Sequence, residues 1–226
     1  MSGKPGESPC FFHSSLYTFV YGGFVRPTQL IRKLYGNLIW NIPTEDKIIY
    51  LTFDDGPDPE VTLWVLETLK KFDAKATFFC NGENVEKHRK IFEQIIAQGH
   101  AAGNHTFSHL NGWKTKKDKY LKDVETCAAL VNSKLFRPPY GKLTPSQYSM
   151  IKKQYSIIMW DVLSCDFHKN ITKEKCLKNV ITYTKKGSIV VFHDSIKVKE
   201  NLNYALPLFL EHFARQGFKF EAIRVC

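Results

Sequence analysis

Residues 48–57 read IIYLTFDDGP, a short apolar run followed at once by two carboxylates and a turn. Such a run, bounded by Gly-Pro, is typical of a buried β-strand that ends there. One aspartate serves a turn, but two adjacent carboxylates repel each other unless a cation or an arginine neutralises them. We therefore expect the strand to deliver Asp54 and Asp55 to a metal site or an acid–base site, in preference to a turn alone.

Strand-like and helix-like segments alternate along the chain that follows. The strand-like runs are 48–53, 75–80, 156–161 and 188–193, and the helical periodicity covers 61–69, 91–96, 120–132, 144–153, 172–185 and 202–216. This alternation predicts a parallel sheet wrapped by helices, and a small α/β barrel and a doubly wound sheet both fit it. In either architecture the chemistry collects at the carboxyl ends of the strands.

Composition predicts one ordinary globular domain. Of the 226 residues 43% are hydrophobic and 24% charged, as in a folded domain with one core. Residues 1–41 are expected to form an N-terminal arm or leader, and residues 42–226 the domain. The net charge of +10 is spread over scattered lysines without interleaved aromatic residues, so a nucleic-acid partner is not expected.

Location is only weakly indicated by the sequence. No apolar run approaches the roughly 18 residues of a membrane span, and no secretion signal is readable at the N-terminus. The six cysteines lack a CxxC pair and are expected to be free thiols. These features slightly favour the cytoplasm over export or association with a cell wall, and a monomer is expected.

Two histidines in HTFSH, residues 105–109, are four positions apart. On a single helical turn, both imidazoles of His105 and His109 would project from one face and could bind one metal ion. Two satisfied or surface histidines would explain an isolated pair equally well. Imidazole together with carboxylate, however, is the ligand set of catalytic metal sites that leave positions open to water.

Three further segments place polar groups at strand ends or in rigid loops. RPPYG at 137–141 carries a guanidinium whose fork suits a carboxylate such as Asp54. WDVLSCDF at 160–167 and VVFHD at 190–194 each follow or end a strand-like run.

Together, TFDDGP, HTFSH, RPPYG, WDVLSCDF and VVFHD in this order resemble the motif set of the polysaccharide deacetylases, also called the NodB-homology domain or carbohydrate esterase family 4. The resemblance covers residues 42 to 222. It implies a distorted (β/α) barrel with about seven parallel strands. It also implies hydrolysis of acetyl groups from N-acetylated sugars of chitin-like oligomers or peptidoglycan.

The resemblance also implies residue roles and a cofactor. Asp54 would be the general base and His193 the general acid, with Arg137 orienting the former and Asp166 tuning the latter. One divalent cation, with zinc expected and cobalt, nickel or manganese also suited, would be bound by Asp55, His105 and His109. The backbone N–H of Tyr140 would bind the oxyanion, and the substrate-binding residues would be Pro138, Tyr140, Phe167 and Val191.

Three positions depart from the family pattern. Leu163 stands where many members carry an acidic residue, Phe167 replaces a usual Trp, and Val191 replaces a usual Leu. These changes bear on substrate preference more than on catalysis. The sequence leaves open an O-acetyl xylan esterase or small-amide hydrolase on the same fold, and a catalytically silent glycan-binding protein.

Overall fold

The computed structural model describes residues 25–28, 32 and 38–224. Within them the strands are β1 Ile48–Asp54, β2 Ala76–Cys80, β3 Ala101–Asn104, β4 Leu135–Phe136, β5 Ser156–Ile157, β6 Val162–Leu163, β7 Ile189–His193 and β8 Lys219–Phe220. The α-helices are α1 Val61–Lys71, α2 Gly82–Lys87, α3 Arg89–Ala97, α4 Lys117–Val131, α5 Pro145–Ile151, α6 Lys173–Tyr183 and α7 Lys199–Ala214. Short 3-10 turns lie at Gly112–Lys114, Pro139–Gly141 and Ile196–Val198.

The described strands form one curled parallel sheet. Seven of them follow the order β5-β4-β3-β2-β1-β7-β6, and β8 pairs only with the start of β1. All these pairs are parallel. This curled half-barrel confirms the predicted fold class. The central strands are mostly apolar because helices cover one face and the barrel interior the other, and Phe53 stacks on Phe78 with ring centroids 5.1 Å apart.

Residues 39–41, which precede β1, lie between the edge strands β5 and β6 and the neighbouring β7. Ile39 pairs with Ile158, and Asn41 pairs with Ser188 just before β7. Trp40, between them, is buried at 8% exposure. The division into an arm of residues 1–41 and a domain of residues 42–226 stays a prediction, and residues 39–41 make backbone contacts with the sheet.

Of the predicted strand at 156–161 only Ser156–Ile157 is formed, as β5, and β6 begins just after the predicted run, at Val162. The intervening carbonyl groups of Ile158 and Met159 accept hydrogen bonds from the Arg137 side chain, so a side chain takes the place of a neighbouring strand. Sequence reasoning also missed β3, β4, β6 and β8. These strands have two to four residues, and β3 (AAGN) lacks the β-branched and aromatic residues that mark strands.

The predictions on membrane spans and cysteines can be compared with the structure over the described residues. None of the helices there has both the length and the apolar character to cross a membrane. Four cysteines of those segments, Cys80, Cys127, Cys165 and Cys176, are free thiols as expected. Cys10 and Cys226 lie outside the described residues.

Candidate active site

The two aspartates sit at the carboxyl end of β1, as predicted. Asp54 is the last residue of the strand, and Asp55 turns the chain away from it with φ 82°. This left-handed conformation is unfavourable for a residue with a Cβ, so other contacts must hold it. The Asp55 N–H donates to the Phe79 carbonyl at 3.3 Å, and Asn84 Nδ2 donates to the Asp55 carbonyl at 2.8 Å.

Arg137 lies completely buried beneath Asp54. Its Nη1 donates to Asp54 Oδ1 at 2.6 Å and to Thr52 Oγ1 at 2.8 Å. The other guanidinium nitrogens donate to the carbonyls of Ile158 and Met159, just after β5, and the group lies over the Phe79 ring at 4.1 Å. A buried guanidinium that is fixed by several partners and bonded to the carboxylate sets the direction of the Asp54 side chain.

His105 and His109 do not lie on a helical turn, which corrects that interpretation of their spacing. They belong to a loop after β3 in which Thr106 and His109 have positive φ values of 64° and 53°. Two side chains stabilise this loop conformation: Asn104 Oδ1 accepts from Thr106 N at 2.8 Å, and Asp123 Oδ2 accepts from Ser108 N at 2.9 Å. The loop brings the two rings together with centroids 5.1 Å apart.

Asp55, His105 and His109 converge on one point. Asp55 Oδ1 lies 3.5 Å from His105 Nε2 and 3.0 Å from His109 Nε2, and their ligand atoms all lie within 4.8 Å of one another. His105 Nδ1 lies 2.8 Å from the Arg137 carbonyl, so the ring donates there and keeps Nε2 for another partner.

The trio fits a divalent cation. Asp55 Oδ1 is buried and makes no hydrogen bond, although two imidazoles approach it. Burial would raise the pKa of Asp55, but His105, His109 and the charge on His193 lower it well below its usual range. Ligands about 2 Å from one ion stand about 3–4 Å apart, which matches the carboxylate–imidazole distances. Three protein ligands also leave coordination positions for water or substrate.

His193 forms a tight pair with Asp166. Its Nδ1 lies 2.7 Å from Asp166 Oδ1, and its backbone N–H donates to Asp166 Oδ2 at 2.8 Å. Asn201 Nδ2 supports the loop by donating to the Asp166 carbonyl at 2.9 Å. Burial would lower the pKa of His193, but the charge and hydrogen bond of Asp166, with Asp55 and Asp54 further off, raise it to about 10. At neutral pH the ring is therefore an imidazolium that can donate a proton.

Two exposed aromatic side chains flank these polar groups. Tyr140 is 59% exposed and meets the His109 ring edge-on at 4.7 Å. Phe167 is 51% exposed and meets the His193 ring at 5.1 Å. Val191 lies two residues before His193 on the same face of β7, one layer deeper, and is only 1% exposed. Pro138 is buried, and Leu163 pairs with Val191 in the neighbouring strand.

Sequence reasoning missed the side chains that shape these loops. Asp123 lies on α4, and its carboxylate accepts from Phe107 N, Ser108 N and Ser108 Oγ at 3.0, 2.9 and 3.0 Å. Asp194 follows the predicted acid and is 1% exposed. Burial and the nearby Asp55 and Asp54 raise its pKa well above the usual range, against the hydrogen bonds from Thr62 and Gly56. The motif VVFHD already contained Asp194, but only the tertiary structure shows its partners.

Comparison with known proteins identifies the arrangement. Residues 41–155 match the family model described as polysaccharide deacetylase. A peptidoglycan-N-acetylglucosamine deacetylase of Bacillus cereus is 30% identical over 200 residues, which cover 83% of this chain and 92% of the relative.

Solved structures agree with the family match. A peptidoglycan N-acetylglucosamine deacetylase superposes with a TM-score of 0.80 at 29% identity, covering 87% of this chain and 95% of that one. A family 4 pseudoenzyme from Bacillus anthracis gives a TM-score of 0.70 at 27% identity, covering 82% and 66%. The matches in sequence and in structure thus agree with each other, and the chain belongs to the polysaccharide deacetylases of carbohydrate esterase family 4.

Proposed function

We propose that this deacetylase removes acetyl groups from N-acetylated amino sugars of peptidoglycan or chitin-like chains, with a divalent cation, Asp54 as the base and His193 as the acid. One observation carries the proposal. The Arg137-bound carboxylate of Asp54 stands next to the Asp55–His105–His109 trio, and His193, paired with Asp166, ends the neighbouring strand β7 in register with Asp54. Groups with opposite proton-transfer duties therefore face one site.

The cation is proposed to be zinc, bound by Asp55, His105 and His109. Two imidazoles and one carboxylate suit zinc, and also cobalt, nickel or manganese. When bound, such an ion lowers the pKa of a water molecule and polarises an acetyl carbonyl.

Asp54 is proposed to take the proton from the attacking water. It is 5% exposed, and Arg137 occupies its Oδ1 at 2.6 Å. Because the guanidinium is bonded to four acceptors of the barrel, the carboxylate cannot rotate away from the site. Its other oxygen is left to act on the substrate side, and a base fixed before reaction loses little entropy in the transition state.

His193 is proposed to protonate the leaving amine. The Nδ1–H is directed to Asp166, so Nε2 carries the proton that faces the site. An imidazolium whose pKa is raised to about 10 stays charged throughout the neutral range. It can therefore donate to a departing amine, which must gain a proton to leave from a tetrahedral intermediate.

Two further contacts are proposed to hold the acetyl group. The backbone N–H of Tyr140, in a turn with φ 59°, would bond to the developing oxyanion. Phe167 beside His193 and Val191 one layer below it would line the slot for the methyl group. Pro138, two residues before Tyr140 and buried, is proposed to belong to the same substrate-binding surface.

Support for a glycan substrate comes from the relatives. The Bacillus cereus relative is a peptidoglycan-N-acetylglucosamine deacetylase, which supports an N-acetylated substrate. One relative of known structure is a pseudoenzyme. A catalytically silent glycan-binding role is not favoured for this chain, because the polar side chains proposed for catalysis are all present and each contacts its proposed partner.

A substrate panel tests this proposal. Acetate release would be measured for zinc-loaded protein on N-acetylglucosamine oligomers, peptidoglycan and O-acetylated xylan. The proposal predicts faster release from one of the N-acetylated glycans than from xylan. A preference for xylan would favour an esterase, and absence of acetate from all three, with zinc bound, would favour a binding protein.

A further inference from the structure

We infer that Asp194 is a positioning residue that fixes the Asp54–Asp55 turn and thereby sets the cation affinity of the site; this inference rests on the proposed metal centre. Asp194 contacts the turn at two points. Its backbone N–H donates to the Asp54 carbonyl at 3.0 Å, and its Oδ1 accepts from the Gly56 N–H at 3.0 Å. These two contacts bracket Asp55, the residue whose φ of 82° needs external support.

The second carboxylate oxygen is also bound. Thr62 Oγ1 donates to Asp194 Oδ2 at 2.6 Å, and the same hydroxyl accepts from Asp58 N at 2.7 Å. Thr62 is fully buried in the first turn of α1. The carboxylate of Asp194 thus ties the Asp55 turn to β7 on one side and to helix α1 on the other.

The glycine in the turn is explained by this carboxylate. A Cβ at Gly56 would lie 2.0 Å from Asp194 Oδ2 and 2.5 Å from Asp194 Cγ. The Asp194 side chain therefore occupies the space that a side chain at position 56 would need. The two residues fit as a pair, with glycine leaving room for the carboxylate that binds its N–H.

Capping of α1 does not account for Asp194. The free N–H groups at the start of that helix are taken by Asp58, whose Oδ1 accepts from Glu60 N and Val61 N, each at 2.9 Å. Asp194 bonds to none of these groups. Its two oxygens serve the Gly56 N–H and the Thr62 hydroxyl, so its effect is directed to the turn that presents the proposed metal ligand.

The consequence is a predictable loss of metal affinity. Removing a partner that orients a metal ligand typically weakens affinity or activity about 10- to 100-fold. Asp194→Ala removes both side-chain contacts, so zinc binding should weaken by about that factor. Asp194→Asn keeps an acceptor for Gly56 N, and Thr62→Val keeps the carboxylate but removes its donor. Each should weaken zinc binding roughly threefold to tenfold, below the full loss of an outer contact, whereas Thr62→Ser keeps the hydroxyl and should behave as wild type.

The experiment is calorimetric titration of the chelator-stripped full chain with zinc alone, together with melting temperatures. Thr77→Val is the matched control, because Thr77 is fully buried and its Oγ1 accepts from Ile223 N at 2.8 Å, outside the site. We expect that control to melt earlier with unchanged zinc affinity.

Two results would overturn the inference, and they are distinguishable. If the Asp194 variants and Thr62→Val bind zinc within twofold of wild type while melting as early as Thr77→Val, Asp194 has only a structural role. If wild-type protein binds no zinc, the proposed metal centre itself fails. Should Asp194→Ala not fold, Asp194→Asn and Thr62→Val decide the outcome.

Discussion

Arg137→Lys preserves the charge beneath Asp54 but removes the planar fork that binds it. The guanidinium makes hydrogen bonds to Asp54, Thr52 and the carbonyls of Ile158 and Met159. A lysine ammonium is a compact charge without the planar fork of arginine. When it is placed at the Asp54 carboxylate, both carbonyls lose their side-chain donor. The residues that bear them are 0% and 4% exposed, so water does not replace the lost bonds.

The magnitude follows from the two buried acceptors. Each costs about 1–3 kcal/mol when it loses its donor, so we expect the free energy of unfolding to fall by about 2–6 kcal/mol. This is a large share of the roughly 5–15 kcal/mol that stabilises a typical domain.

Urea denaturation of both proteins, followed by circular dichroism, measures this loss as a lower midpoint at unchanged slope. Arg215→Lys is the matched control, since its side chain is 77% exposed and pairs with Glu211 one turn away, and it should change stability by less than about 0.5 kcal/mol. A loss below about 1 kcal/mol for Arg137→Lys would refute the reasoning that the fork satisfies the two buried carbonyls.

Three other perturbations have expected outcomes. Asp166→Asn should lower the pKa of His193 from about 10 toward its ordinary value of 6.5, so the alkaline limb of the kcat/KM profile should move to lower pH. In wild type the raised pKa of His193 stabilises the fold fully below pH 6.5, and this stabilisation is lost as pH rises through about 10. Asp166→Asn should abolish this pH dependence of the free energy of unfolding, measured by denaturation across that window. An unmoved alkaline limb and an unchanged pH dependence would exclude the His193–Asp166 pair as the cause. Chelation should lower the melting temperature and added zinc should restore it, because an ion that binds only the folded state stabilises that state. His109→Ala should remove the effect of zinc on the melting temperature. If the effect persists in this variant, the ion binds elsewhere. Gly56→Ala places a Cβ 2.0 Å from Asp194 Oδ2, so denaturation should show a loss of about 1–3 kcal/mol, and wild-type stability would mean that the turn relaxes freely.

The sequence was sufficient for the central strands and for the convergence of the site. β1, β2 and β7 match the predicted runs to within one residue at each end, because each is an apolar stretch buried on both faces. Asp54 directly follows the predicted run of β1 and His193 ends that of β7, and because parallel strands place their carboxyl ends together, these two residues are expected to meet. That residues 105, 137 and 166 join them was implied by the family resemblance. The motifs thus predicted which residues gather.

Tertiary partners decide what the sequence could not predict. The spacing of His105 and His109 suggested a helical turn, but Asp123, from a helix some fifteen residues on, binds the loop in another shape. Likewise β5 and β6 separate because Arg137 takes the carbonyls between them. No local pattern reveals such long-range hydrogen bonds.

The most direct test of the account is acetate release from N-acetylglucosamine oligomers by chelator-stripped protein, with and without added zinc, beside Asp54→Asn. The proposed base, cation and acid together predict zinc-dependent release by wild type. They also predict release close to background from Asp54→Asn, although that variant should still bind zinc through Asp55, His105 and His109. Zinc-independent release, or a zinc-loaded Asp54→Asn as active as wild type, would contradict the account.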